Sequence, residues 1–266
     1  MKIEFYKYQA TGNDFIIIDN RNQDINLTEE NIRFLCHRHF GIGSDGLILL
    51  ENDDKTDFSM QFFNPDGSGG MMCGNGGRSI VKFAADKGII KERCCFIAPD
   101  GLHFATIKYN IVSLKMVNPT LFQAHQDGYY INTGTSHFVV FENSLNEIDI
   151  IKKGRALRYD ERFSPYNGCN VNFVEEISLN NIRIRTYERG VEDETLACGT
   201  GICSSALTYS VKKQLPCGTH TINLSAKGGE LQVRFEKQSD NQFSEVHLIG
   251  EAKMVFKGEI NITLFQ

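Results

Sequence analysis

No part of this 266-residue chain is apolar for long enough to cross a membrane as a helix. The longest purely aliphatic runs are Ile16-Ile17-Ile18 and Leu47-Ile48-Leu49-Leu50, against the roughly 20 residues a spanning helix needs. The first residues, Met1-Lys2-Ile3-Glu4-Phe5-Tyr6-Lys7, mix acid and base with apolar side chains and lack the apolar core of a secretory signal. Positive charge is not in excess either: 28 Lys and Arg against 33 Asp and Glu leave a formal charge of -5, which argues against nucleic acid as a partner. Zinc-ligand pairs of the Cys-x-x-Cys kind are missing; Cys198 and Cys203 have no second half, and His37 and His39 stand alone beside Cys36. No Gly-rich loop continues into Gly-Lys-Ser/Thr, so there is no P-loop, and Asp66-Gly67-Ser68-Gly69-Gly70 has too few carboxylates for a calcium loop. These absences predict a soluble cytoplasmic protein with no nucleic-acid or membrane partner.

The chain does have enough apolar residues, 41%, to build real cores. Its length suits two domains or one large one. Eight cysteines are present, an even number that invites a disulfide framework. A chain of this length without an export signal needs no such staples. Cys36, Cys94, Cys95, Cys169, Cys203 and Cys217 therefore read as reduced thiols acting as small hydrophobes. Cys73 and Cys198 are set apart by their neighbours.

Cys73-Gly74-Asn75-Gly76 and Cys198-Gly199-Thr200-Gly201 share the pattern Cys-Gly-x-Gly, 125 residues apart (73 to 198). Flanking segments agree in the same order. Gly12-Asn13-Asp14-Phe15-Ile16-Ile17 resembles Gly134-Thr135-Ser136-His137-Phe138-Val139, a polar turn entering a β-branched strand. Alternating strands, Phe58–Phe62 and Ile182–Arg185, lie just upstream of each Cys-Gly-x-Gly. Gly101-Leu102-His103-Phe104-Ala105 resembles Gly229-Glu230-Leu231-Gln232-Val233 downstream. The repeat predicts two similar α/β domains, with the second beginning near Val117-Asn118-Pro119. No Gly/Ser-rich linker marks the boundary, so the connection should be short and the domains should face each other across a cleft.

In each half the order is strand, Gly-rich turn, helix. Ile80, Phe83 and Ala84 recur at helical spacing and Gly88 marks a stop. The small residues of Ile202–Val211 suit a helix inside a closely wrapped sheet. Each cysteine then sits at a helix N-terminus, where unpaired N–H groups and partial positive charge favour a thiolate and bind carboxylates. The glycines allow close backbone approach to a ligand.

Two opposed acid/base groups are what stereoinversion at carbon requires. One thiolate takes a proton from one face, a thiol delivers one to the other, and backbone donors hold the carboxylate that gathers charge. The alternative is two buried thiols in tight strand–helix turns. A single nucleophilic cysteine would need a base such as His137, which the sequence ties to neither thiol. Gly41-Ile42-Gly43-Ser44-Asp45-Gly46 fits the dinucleotide fingerprint literally. However, a helical-looking segment, residues 31–40, precedes it and a strand follows, so it reads as a helix stop and turn.

At these residues the chain resembles the diaminopimelate epimerases, nearly end to end. The matching motifs, in order, are Gly12-Asn13-Asp14-Phe15, Gly41–Gly46, Phe63-Asn64-Pro65-Asp66-Gly67-Ser68, Met72–Gly76, Cys169-Asn170-Val171-Asn172-Phe173, Glu188-Arg189-Gly190-Val191 and Thr195–Gly201. The resemblance implies an α+β fold of two pseudo-symmetric domains, each a β-barrel-like sheet around a central helix, with the active site between them. The domains would be residues 1–117, completed by a C-terminal strand at about 257–266, and residues 118–256. The resemblance also implies cofactor-independent epimerisation of LL- to meso-diaminopimelate, for lysine and peptidoglycan synthesis, without pyridoxal phosphate or metal.

Cys73 and Cys198 would be the two bases, the first facing LL and the second meso substrate, with His137 and Glu188 assisting proton transfer. Gly74, Asn75, Gly199 and Thr200 would hold the reacting carboxylate. Asn13, Asn64, Asn170, Glu188 and Arg189 would recognise the amino groups and distal carboxylate, a role for which a guanidinium is suited by its bidentate geometry. A homodimer is implied, with Phe256 near the dimer contact.

This chain departs from the family at three places. Gly134-Thr135-Ser136-His137 stands where the family often has Gly-Asn-Pro-His, Gly46 stands where it often has glutamine, and the Glu188–Cys198 segment is one residue longer. Thr135 and Gly46 are therefore further candidate substrate positions. A racemase of another amino acid using the same two thiols, and a non-catalytic anion- or amino-acid-binding module, remain as alternatives. If the enzyme reading is right, the cleft should close over substrate, and mild oxidation should inactivate the protein by joining the two thiols.

Overall fold

The computed structural model describes residues 2–262; residues 263–266 of the expected completing strand lie outside the described residues. The chain forms two compact units. One runs to Leu114 and resumes at Glu251, and the other is Lys115–Gly250.

The first unit comprises β1 (Lys2–Ala10), β2 (Asn13–Asp19), α1 (Glu29–Cys36), β3 (Gly46–Glu51), β4 (Phe58–Phe63), α2 (Gly74–Asp86), β5 (Arg93–Ala98), β6 (Gly101–Lys108) and β7 (Ile111–Lys115). The second comprises β8 (Leu121–His125), β9 (Gly128–Asn132), β10 (Ser136–Phe141), α3 (Ile150–Arg158), β11 (Asn170–Ser178), β12 (Asn181–Glu188), the short β13 (Asp193–Thr195), α4 (Gly199–Lys212), β14 (Gly218–Ala226), β15 (Gly229–Lys237) and β16 (Phe243–Glu251). A last strand, β17 (Lys253–Asn261), follows.

The repeat seen in the sequence is a repeat of topology. In the first unit β1 pairs antiparallel with β2, β2 parallel with β3, β3 antiparallel with β4, β4 parallel with β5, and β5 antiparallel with β6. In the second the same alternation runs through β9, β10, β11, β12, β14 and β15. Each parallel step needs a crossover, and each is made by a helix: α1 and α2 in one unit, α3 and α4 in the other. Even the outer strands correspond. β17 pairs with β1 where β8 pairs with β9, so the end of the chain returns to finish the first unit.

Parallel strands covered on both faces are read as unbroken apolar runs, which explains Ile16-Ile17-Ile18 and Leu47–Leu50. Ile16, Ile18, Leu47 and Leu49 pack against Ile32 and Leu35 of α1. Alternation turns Ile17, Ile48 and Leu50 to the opposite face, where α2 lies against β1, β2 and β3. The second unit repeats this, with Phe138, Val140, Val171 and Phe173 around Ile150 of α3 and α4 against the other face of β10 and β11. The small side chains of α4, Ser204, Ser205, Ala206 and Thr208, are fully buried, as a helix wrapped by sheet demands. None of the described helices is long and apolar enough to cross a membrane.

The helix expected over 31–40 is shorter than its pattern. α1 starts two residues earlier, behind a Thr28–Asn31 capping box, and stops at Cys36. The chain then doubles back, so that the N–H groups of Ile42 and Gly43 donate to the Leu35 carbonyl at 2.9 and 3.0 Å. A Cβ at Gly41 would lie 1.9 Å from the Phe34 carbonyl oxygen, so only glycine permits the return. The literal G-x-G-x-x-G is thus a helix stop leading into β3.

Candidate active site

Each Cys-Gly-x-Gly is the start of a central helix. Cys73 is the N-cap of α2 and Cys198 the N-cap of α4, both in extended conformation. Cys73 is half-buried and Cys198 buried. Gly74 and Asn75, and Gly199 and Thr200, form the first turns, whose N–H groups have no partner within the helix.

Around Cys73 the Gly76 N–H donates to Sγ at 3.2 Å. The Asn75 carboxamide faces inward. Its Nδ2 donates to Asn13 Oδ1 at 3.2 Å, and its Oδ1 accepts from Thr11 Oγ1 at 3.2 Å and from Arg78 at 2.9 Å. Arg78 is completely buried and also donates to the Gly74 carbonyl at 3.0 Å and Thr11 Oγ1 at 2.9 Å. A permanent cation thus lies under the first turn of α2. Asn13 is fixed in turn by donating to Asp45 at 2.7 Å. Neighbouring Asp14 is pulled two ways. Burial pushes its carboxyl up, but Arg38 at 2.7 Å and Lys7 at 2.6 Å outweigh this and hold it well below the usual range. Asn64 is not drawn into this group; it sits in a separate turn, donating to Ser68 Oγ at 3.0 Å. Gly46 opens β3 beside Phe15. A Cβ there would lie 3.1 Å from the Phe62 ring and 3.0 Å from the Phe63 carbonyl oxygen, so a glutamine would require Phe62 to move.

The second unit brings more of the expected residues together. Thr200 Oγ1 lies 3.4 Å from Cys198 Sγ, 2.9 Å from His137 Nε2 and 3.0 Å from Thr135 Oγ1. Thr135 Oγ1 is itself 2.9 Å from His137 Nε2. Asn170 donates to Ser136 O at 3.3 Å and Thr135 Oγ1 at 3.5 Å, while its Oδ1 accepts the Arg189 N–H at 2.8 Å. The Arg189 guanidinium donates to the Tyr166 and Gly168 carbonyls at 3.1 and 3.2 Å. Thr135 thus stands in one network with the histidine and Thr200.

Burial pushes the His137 imidazole down to about 3, with the nearby Arg189 charge adding to the effect. The ring is therefore neutral at any ordinary pH. Glu188 moves the other way: burial raises its carboxyl above the usual range. Burial pushes Cys94 and Cys169 up to about 12, so they stay protonated and inert. Phe256 lies on β17, 45% exposed, with its ring 6.0 Å from that of Phe5.

Sequence reading passed over Arg78, Thr11, Asn172 and Thr186. Asn172 had a signal, since in Asn170-Val171-Asn172 alternation puts both asparagines on one face of β11. Arg78 had none, because a charge near a helix start reads as solvent-exposed by default.

A family model described as diaminopimelate epimerase matches residues 5–117 and 129–255. The chain is 46% identical over 262 residues to the diaminopimelate epimerase of Flavobacterium psychrophilum, covering 97% of this chain and 100% of that one. It is 38% identical over 283 residues to the diaminopimelate epimerase of Aquifex aeolicus, covering 97% and 98%. Its fold is similar to the crystal structure of a Bacillus anthracis phenazine biosynthesis protein of the PhzF family, with a TM-score of 0.77 and 16% identity over 98% of this chain and 100% of that one. The α+β fold of two related halves is thus shared with proteins whose names denote other chemistry, whereas the sequence matches run the length of the epimerases. The chain belongs to the diaminopimelate epimerase family.

Proposed function

We propose that this protein interconverts LL- and meso-diaminopimelate by removing and returning the α-proton with Cys73 and Cys198. The observation that carries the reading is the duplicated helix N-terminus capped by cysteine, in a chain 46% identical along its length to a named diaminopimelate epimerase. One thiolate accepts the α-proton and becomes a thiol. The electron pair left on carbon spreads into the adjoining carboxylate, which the first-turn N–H groups at Gly74, Asn75, Gly199 and Thr200 hold and stabilise. The opposite thiol then donates its proton to the other face and becomes the thiolate. His137 is neutral and reaches the chemistry through Thr200. Glu188, with a raised proton affinity, serves as a proton-bearing partner or meets a substrate ammonium. Arg189, Asn13, Asn64 and Asn170 select the second amino-acid end of the substrate.

A thiol-dependent site also favours a reducing compartment, consistent with the cytoplasm, and makes the activity sensitive to oxidants and restorable by reductant. The exposed run Met254-Val255-Phe256 on β17 supports a homodimer formed through that strand. Phe256→Glu should shift the solution mass toward the monomer, and an unchanged dimer would remove this contact.

The substrate is tested by incubating reduced protein with LL-diaminopimelate, proline, hydroxyproline and glutamate in separate reactions, followed by chiral chromatography. Inversion of diaminopimelate alone is expected. Preferential inversion of another amino acid would move the activity to a racemase with the same thiols, and Thr135 and Gly46 would be the first positions to explain it. Substrate-protected binding without turnover would favour a binding module.

A further inference from the structure

We propose that Thr186, Asn172, His137 and Thr200 form a one-way hydrogen-bond chain that ends on the Cys198 sulfur and tunes that thiol but not Cys73. The role of Cys198 as a base rests on the function proposed above; the chain itself rests on geometry.

The strand order equates β10, β11 and β12 with β2, β3 and β4. In the first unit Phe15 is level with Gly46, and Ile48 with Phe62. In the second His137 is level with Asn170, and Asn172 with Thr186. His137, Asn172 and Thr186 therefore occupy the places of Phe15, Ile48 and Phe62. The helices confirm the match. A Cβ on Gly76 would lie 3.5 Å from the Phe62 ring, and a Cβ on Gly201 would lie 2.4 Å from Asn172 Oδ1 and 3.3 Å from His137 Cε1. In the first unit this spot is filled by apolar side chains, with the Phe15 and Phe62 rings 6.1 Å apart. The second unit fills it with three polar ones, none more than 4% exposed. Apolar packing evidently suffices for the fold, so burying three polar groups calls for another reason.

Their order supplies one. Thr186 Oγ1 donates to Asn172 Oδ1 at 3.0 Å. Asn172 thereby presents Nδ2 to His137 Nδ1, also at 3.0 Å, and an imidazole accepting at Nδ1 carries its proton on Nε2. That N–H lies between Thr200 Oγ1 and Thr135 Oγ1, each 2.9 Å from Nε2, and the Thr200 hydroxyl, free to turn to the thiol, is 3.4 Å from Sγ. Every donor faces the sulfur, which suits a thiolate. Thr135, in reach of both Nε2 and Thr200, steadies the junction. Around the ring β9 contributes Tyr130, whose hydroxyl is spent on Ser136 at 2.8 Å; α4 contributes Cys198; and Arg189 is the charged group acting on it. Because burial keeps the ring neutral, the chain keeps its direction across the working pH range. Thr186, Asn172 and His137 are positioning residues.

The test follows iodoacetamide alkylation of Cys198 and Cys73 against pH by peptide mass spectrometry, so that each protein carries its own reference thiol. It also reads the His137 tautomer from ¹⁵N NMR of the native protein. The wild type should show Nε2–H. Thr200→Val should move the Cys198 profile up by about one pH unit, roughly a tenfold slower reaction at a fixed neutral pH, and leave Cys73 in place. Thr200→Ser should restore it, and Asn172→Asp should turn the ring to Nδ1–H. An Nδ1–H ring in the wild type, an unmoved Cys198 profile in folded Thr200→Val, or an equal shift at Cys73 would overturn the chain. Failure of the native protein to invert diaminopimelate would strike the substrate reading and leave these results standing.

Discussion

The Cys73 and Cys198 turns begin from one backbone design and differ in what supports them. Both cysteines cap a helix, both sit in a Cys-Gly-x-Gly turn, and both helices are tethered by a threonine of a strand connection earlier in the same unit. Thr11 holds Asn75 at 3.2 Å, and Thr133 holds the Thr200 carbonyl at 3.1 Å and Ser204 at 2.9 Å. Beneath Cys73 lies a buried guanidinium and apolar packing. Beneath Cys198 lies a neutral imidazole in a polar file. Duplication kept the two cysteine-capped helix starts and let the two thiols acquire different environments. Under the proposed mechanism the two thiols exchange the roles of acid and base, and separate surroundings let the proton affinity of each be set independently.

The largest test of the comparison removes each sulfur in turn. Cys73→Ala and Cys198→Ala should each lower epimerisation by about a thousandfold or more, measured as the initial rate of meso-diaminopimelate formation. Substantial activity in one variant would make the halves unequal in kind. Next, Arg189→Ala should raise KM for diaminopimelate about ten- to a hundredfold with a smaller change in kcat, the effect of losing a charged hydrogen-bond partner. A change in kcat alone would place Arg189 in the chemical step instead. A swap between halves is smaller. Ile48→Asn, which puts the Asn172 side chain in its apolar counterpart, should cost about 1–3 kcal/mol in urea unfolding for want of a partner, and a neutral result would show that the first unit can host the polar file. The last test is of pH dependence. The His137 imidazole falls from the ordinary 6.5 to about 3 on folding, so between these values the unfolded chain binds a proton that the folded one does not. Stability from this group is therefore intact above 6.5 and lost as the pH falls through that window. His137→Gln should flatten the acid limb, and an unchanged limb would mean the ring is not buried neutral.

Much of this was legible from the residues. The Cys-Gly-x-Gly pair, the polar turns at Gly12 and Gly134 and the alternating strands marked a duplication because glycine and cysteine at fixed spacing leave a plain trace. The aliphatic runs said only that no helix could span a membrane; that Ile16–Ile18 and Leu47–Leu50 are neighbouring parallel strands came from the pairing of β2 with β3. The networks under the turns left far less trace. Arg78 looks like a surface charge until α2 is seen to be wrapped by sheet, and Thr186 is one more residue in a half-polar strand until β12 is set beside β11. The length of α1 was misread for a physical reason: residues 37–40 have no strong helix breaker, and the stop comes from Gly41 folding back against Phe34. Long-range pairing decides such cases, and one chain's periodicity does not encode it directly.

The most direct test of two opposed thiols is the fate of label in the first turnovers. LL-diaminopimelate is incubated with the reduced enzyme in deuterated water, the reaction is stopped at low conversion, and product and recovered substrate are separated and examined by mass spectrometry. Two bases on opposite faces predict solvent deuterium at the inverted carbon of meso product, with recovered LL-diaminopimelate still carrying its original proton. Equal labelling of both, or meso product that keeps the substrate's own proton, would point to one base and contradict the account.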